Sequence, residues 1–127
     1  MFTGAHLLLN SSNAEADRAF LRDVLEFPFV DAGHGWLIFK LPVAEAAVHP
    51  TDGVSAGHGM LSTQLYLMCD DLQATIQALA AKNVVCTKVD TERWGIKTSI
   101  RLPSGGEIGL YQPAHPTALG LCGASVP

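Results

Sequence analysis

Apolar positions along this chain change period twice, in the same order each time. Residues 3–10 are apolar enough to read as a strand buried on much of both faces. From Ala14 onward Ala16, Phe20, Leu21, Val24 and Leu25 recur at helical spacing, with Arg18, Arg22, Asp23 and Glu26 on the other side. Ser12 precedes Glu15 by three positions, a capping-box pattern that predicts the helix start. The helix is predicted to stop just before Pro28, because a residue before proline is pushed out of the helical region. Residues 29–31, 35–40 and 45–49 read as three short strands. Residues 50–61 are rich in turn formers and lack a period, so they read as a connector. The plan then repeats. Residues 62–69 predict a strand, Asp70 and Gln73 a second capping box, and Leu72, Ile76, Leu79 and Ala80 the buried side of a second helix, with Asn83 as its stop. Residues 84–89, 93–101 and 107–112 supply three more strands, the last two joined by a turn at Ser104-Gly105-Gly106.

The repeat holds a near-constant offset. His6 and Gln64 lie 58 residues apart, and Leu41-Pro42 and Leu102-Pro103 lie 61 apart. One supersecondary unit used twice is the simplest reading, and two such copies bury a shared face. The fold class expected is α+β, with two tandem βαβββ units forming a curved mixed sheet around a cup. Unit one spans about 3–50, the connector 50–61, unit two about 62–113 and the tail 114–127, all within one domain. A length of 127 residues suits that arrangement.

Charge and cysteine content narrow the partners. The formal net charge of −4 comes without a basic cluster, so a nucleic-acid partner is not expected. No cationic leader opens the chain and no run nears the roughly 18 apolar residues of a membrane span, which points to a cytoplasmic protein without a membrane partner. Cys69, Cys86 and Cys122 are odd in number and share no CxxC spacing, so they read as free thiols, two of them in strands.

Residues 15–27 (EADRAFLRDVLEF), 69–75 (CDDLQAT) and 102–113 (LPSGGEIGLYQP) resemble the helix and strand signatures of the vicinal oxygen chelate superfamily. That superfamily includes glyoxalase I, extradiol dioxygenases and bleomycin resistance proteins. The resemblance runs in order over about residues 3–113 and implies the paired fold, but not the chemistry, since one scaffold hosts isomerases, dioxygenases, thiol transferases and metal-free drug binders. In metal-dependent members it implies ligands from both units. The matching positions are His6, Glu45, Gln64 and a glutamate on the last strand. Aligned on Ile108, Leu110 and Gln112, that glutamate's place is held by Gly109. Glu107 lies two residues earlier, about 6.6 Å away along the same strand face, against metal–oxygen bonds of roughly 2.0–2.6 Å.

Each ligand candidate also has a plainer reading. His6 suits a hydrogen-bonded wall residue, Gln64 a hydrogen-bonding contact to a ligand, Glu45 a solvated strand-end charge and Glu107 a surface residue flanking a hairpin. No cofactor is expected, a divalent metal being the alternative. His34, His49, His58 and His115 stand in glycine- or proline-rich surroundings without ligand spacing, so solvent exposure is expected for each. Asp70-Asp71 reads as helix capping. Trp36 and Trp94 occupy comparable places before the two Leu-Pro landmarks and are expected to line an aromatic-walled cup with His6 and Gln64. The function expected is a small-molecule-binding protein without a complete catalytic metal site, acting as a homodimer. The alternatives are a metal-dependent lyase or extradiol-type dioxygenase acting on a vicinal-oxygen substrate, and a ligand-free structural or regulatory dimer.

Overall fold

The computed structural model describes residues 1–50 and 59–121, so His58, Cys122, most of the connector and the end of the tail lie outside it. The chain is mixed α+β, in the order α1 (Ala14–Asp23), β1 (Phe29–Asp31), β2 (Leu37–Phe39), β3 (Tyr66–Met68), α2 (Leu72–Ala80), β4 (Asp90–Glu92), β5 (Gly95–Arg101) and β6 (Glu107–Pro113). Two compact units emerge, one of Met1–Lys40 with Arg101–Gly106, the other of Leu41–Ile100 with Glu107–Pro127. No helix among the described residues is long and apolar enough to cross a membrane.

In the first unit α1 starts one residue later than the capping box predicts. Asn13 is the N-cap, its side-chain oxygen accepting from the Ala16 amide at 3.2 Å, while Ser11 Oγ accepts from the Asn13 amide at 3.0 Å. Both Ser12 and Asn13 are good caps, and the residue bordering the first turn prevails. The helix also ends earlier than Pro28 requires. Its chain turns out through Glu26 at φ 58°, and the Phe27 amide donates back to the Leu21 carbonyl at 3.1 Å.

Buried Asp17 holds this unit together. Ser11 Oγ and Ser104 Oγ each donate to Asp17 Oδ2 at 2.7 Å, and the Ser104 amide donates to Oδ1 at 3.0 Å. Burial pushes this carboxyl's pKa up, but the bonds from Ser104 and Ser11 outweigh it and leave the value below that of an ordinary aspartate. The 102–106 turn closes with the Leu102 amide donating to the Gly106 carbonyl at 2.8 Å, as the Ser-Gly-Gly motif predicts. Strands β1 and β2 pair antiparallel with Phe29 opposite Phe39.

In the second unit the strand order is β3-β6-β5-β4, with β3 parallel to β6. Here the βαβββ order is present in full. Asp71, rather than Asp70, caps α2 by accepting from the Ala74 amide at 3.1 Å. The Leu72 amide, another donor left free at a helix start, is taken by the Gln112 side-chain oxygen at 3.0 Å. Asn83 adopts φ 62° and the Val84 amide returns to the Leu79 carbonyl at 2.9 Å, the stop expected there. Ile108 and Leu110 of β6, Ile100 of β5 and Leu72 and Leu79 of α2 are buried, so alternate strand residues form the core.

Four predicted strands differ. Residues 3–10 and 45–49 make no ladder among the described residues, because an apolar run becomes a strand only where a neighbouring edge takes its amides and carbonyls. Residues 84–89 contribute a single bridge, Cys86 to Ile100. Beyond it the Thr87 amide still donates to the Ser99 carbonyl at 2.9 Å, and side chains supply the rest: the Ser99 amide donates to Thr87 Oγ1 at 2.9 Å and Thr98 Oγ1 donates to the Thr87 carbonyl at 2.7 Å. The expected strand 93–101 begins at Gly95, since β4 and β5 pair from Glu92 opposite Gly95 and leave Arg93-Trp94 as the turn. Cys69 and Cys86 are free thiols, and burial, followed by the nearby Cys69, pushes the Cys86 thiol's pKa up.

Candidate functional site

The second unit gathers an aromatic cluster on the sheet face opposite its core. Parallel pairing of β3 with β6 sets Tyr66 opposite Gly109. A Cβ at position 109 would collide with the Tyr66 ring, so glycine is what lets that ring lie on the strand. Tyr111, two residues on, shares the face. The β4–β5 turn delivers Trp94 to the same place. Ring centroids stand 5.7 Å apart for Tyr66 and Tyr111, 6.1 Å for Tyr66 and Trp94, and 5.3 Å for Trp94 and Tyr111, at interplanar angles of 87°, 83° and 80°. These are edge-to-face contacts, each worth about 0.5–1.5 kcal/mol beyond the area buried. Trp94 stays 37% exposed, so the cluster is a wall and not a closed core.

Charged groups border it on two sides. Lys97 Nζ lies 5.5 Å from the Trp94 ring centre and 3.5 Å from Glu92 Oε1. On the other side the segment after β6 bends back, its Ala114 amide donating to the Trp94 carbonyl at 2.8 Å. There the His115 ring stacks on Tyr111 at 6.1 Å and 29°. His115 Nδ1 is 2.7 Å from the Pro116 carbonyl, which makes it the donor, so in the neutral ring Nε2 accepts from Tyr111 Oη at 3.4 Å. Glu45 Oε1 accepts from the Ala118 amide at 2.7 Å and its Oε2 is 4.0 Å from His115 Nε2. Burial, then the charge of Glu45, pushes the Tyr111 hydroxyl's pKa above its ordinary value.

The residues singled out in the sequence divide between the units. His6 and Trp36 belong to the first, both exposed, with the Arg18 guanidinium 4.6 Å over the Trp36 ring. Gln64 and Trp94 belong to the second, with Gln64 exposed two residues before Tyr66. Trp94 stands in the cluster, against Tyr66 and Tyr111. Glu45 is not a solvated charge, because it holds the segment at Ala118. His115 is not a solvent-exposed loop histidine, because Tyr111 takes one face of its ring. Tyr66 and Tyr111 were missed, although the glycine at 109 in a run of apolar strand residues was a signal of close approach. An open groove of about 640 Å³ between α2 and residues 84–89, lined by Ile76, Ala80, Val84 and Cys86 among others, has no charged or aromatic side chain and offers a ligand few anchors.

Within the second unit a divalent metal does not fit the described residues. In the second unit Glu45 is engaged at Ala118, Glu107 accepts from Ser99 Oγ at 2.6 Å, and the space of a carboxylate at 109 is filled by the Tyr66 ring. Within each unit, among the described residues, no three His, Cys, Asp or Glu side chains gather as a metal would need.

No protein-family model matches the sequence, and no curated protein does either. Solved structures do match. TnmS3, an antibiotic binding protein from Streptomyces sp. CB03234, aligns with a TM-score of 0.59 and 24% identity over 90% of this chain and 99% of its own. Lactoylglutathione lyase from Agrobacterium tumefaciens aligns with a TM-score of 0.58 and 18% identity over 87% and 92%. An integron cassette protein from the mobile metagenome of V. cholerae aligns at 0.52 and 19% over 88% and 98%. At such identities the likeness is one of fold.

Proposed function

We propose that this chain, which has the fold of the vicinal oxygen chelate superfamily of glyoxalases and bleomycin resistance proteins, binds a planar small molecule on the Tyr66, Trp94 and Tyr111 cluster and uses no catalytic metal there. The observation that carries this reading is the Tyr66 ring lying on Gly109, where the superfamily resemblance places a carboxylate ligand. One substitution pattern removes a donor and adds an aromatic surface. Metal-assisted chemistry loses its donor set, whereas stacking gains a wall. Gln64, leading into Tyr66, supplies a hydrogen-bonding contact at the rim. That a protein of this fold can serve as a binder is illustrated by TnmS3, an antibiotic binding protein.

The protein is also proposed to work as a homodimer. In support, Leu8, Val30, Val48 and Leu61 are large apolar side chains left exposed.

The ligand reading is tested with benzimidazole as a planar probe. Trp36→Phe leaves Trp94 as the single tryptophan, and its fluorescence, excited at the red edge of indole absorption, should be quenched on binding. Trp94→Ala should weaken the probe at least several-fold, measured by calorimetry, with stability lowered by only the roughly 1–3 kcal/mol of its two edge-to-face contacts. A large loss of stability with unchanged affinity would place Trp94 in the core and remove the proposed site. Elemental analysis of protein never exposed to a chelator should show far less than one transition metal per chain, and a stoichiometric metal would overturn the metal-free reading.

A further inference from the structure

The segment after β6 is attached lightly for something that covers an aromatic site. Ala114, Pro116, Thr117 and Ala118 are exposed, so little apolar burial holds them down. What holds them is polar: Ala114 to the Trp94 carbonyl, Ala118 to Glu45, and the His115 ring on Tyr111. Segments with few buried contacts open at low free-energy cost. Here the one ring the segment contributes lies on a face of the proposed binding wall.

Resting on the ligand reading above, we propose that His115 is a placeholder: its imidazole occupies the position on Tyr111 that a ligand ring takes, and Glu45 is the latch that keeps it there. Two properties of the placeholder describe the ligand. The imidazole is a flat heteroaromatic ring, stacked at 29° on Tyr111. Its Nε2 accepts the Tyr111 hydroxyl, since Nδ1 is already donating to the Pro116 carbonyl. A ligand that replaces it without leaving that hydroxyl unpaired carries an acceptor atom, a ring nitrogen or a carbonyl oxygen, at the edge of a flat ring. Once His115 leaves, Glu45 Oε2, now 4.0 Å from it, faces that same edge and favours a donor or cationic group on the incoming molecule. The class is therefore a planar heteroaromatic or quinone-like ring bearing an acceptor, with a donor beside it. Binding has to displace the segment, so apparent affinity is reduced by the fraction of molecules in which the place is already taken.

Benzimidazole serves as the probe, because its imidazole edge reproduces the placeholder's acceptor. Indene, with the same outline and no nitrogen, is the control. By calorimetry His115→Ala should bind benzimidazole roughly ten-fold more tightly than the unaltered protein, as expected when a competing internal occupant is removed. Tyr111→Phe should weaken benzimidazole several-fold while leaving indene unchanged. In the unaltered protein, benzimidazole should speed hydrogen exchange at the Ala118 amide and shift the His115 ring resonances. If binding depends on Trp94 but His115→Ala gains nothing and Ala118 exchange is unmoved, the placeholder inference is wrong while the ligand reading stands. If benzimidazole binds neither the unaltered protein nor the His115 variant, both fall.

Discussion

Adding one methyl group to β6 tests the arrangement on which the functional reading rests. A Cβ at position 109 would meet the Cγ, Cδ1 and Cε1 atoms of Tyr66, so Gly109→Ala forces the ring away from the strand. Overpacking of this kind costs about 1–3 kcal/mol. A displaced ring also loses two edge-to-face contacts, with Trp94 at 6.1 Å and Tyr111 at 5.7 Å, worth about 0.5–1.5 kcal/mol each. Partial relaxation offsets some of this, and a net loss of about 2–3 kcal/mol is expected. Tyr66→Ala alone should cost about 2 kcal/mol, less than a fully buried aromatic, because Tyr66 is only half-buried. The informative quantity is the double mutant. Without the ring, alanine at 109 meets open space, and removing a strand glycine then stabilises by about 0.5 kcal/mol through the unfolded chain. Urea unfolding of all four proteins should therefore give a coupling of about 2.5–3.5 kcal/mol, with near-ultraviolet dichroism of the aromatic cluster altered in each single variant. Additivity within about 0.5 kcal/mol would mean that Tyr66 does not lie on Gly109, and the argument against a carboxylate site at that strand would go with it.

Two further outcomes are expected. Asp17 has a folded-state pKa below the ordinary value of about 3.9, so its stabilisation is fully present above that pH and is lost as pH falls through the lower folded value. Asp17→Asn should flatten this acid limb of the stability profile, and Asp17→Ala should cost about 2–4 kcal/mol at neutral pH by stranding the Ser104 amide and two hydroxyls; an unchanged acid limb in Asp17→Asn would exclude this source. Light scattering should give about twice the chain mass across a hundred-fold dilution, and a monomer throughout would remove the homodimer.

The sequence alone determined both helices, their ends to within a few residues, the β5–β6 hairpin and the superfamily resemblance, because each rests on local rules of periodicity, capping and turn chemistry. The capping boxes were misplaced by one residue in the same way twice. Ser12-Asn13 and Asp70-Asp71 each offer adjacent caps of similar strength, and only the folded backbone chooses. Strand pairing was less legible. Residues 84–89 carry a strand-like composition, yet they form a single bridge, and the Ser99 amide goes to the hydroxyl of Thr87, an arrangement that depends on Ser99 arriving from another strand. The site divides the same way. Gly109 and Trp94 were readable as a missing donor and an aromatic wall. That Tyr66 fills the missing donor's space follows from the β3–β6 register, and that Glu45 and His115 meet follows from a contact between residues 70 positions apart in the chain. Local propensity carries no information on either, because the first is set by strand register and the second by two non-strand segments meeting at long range in the chain.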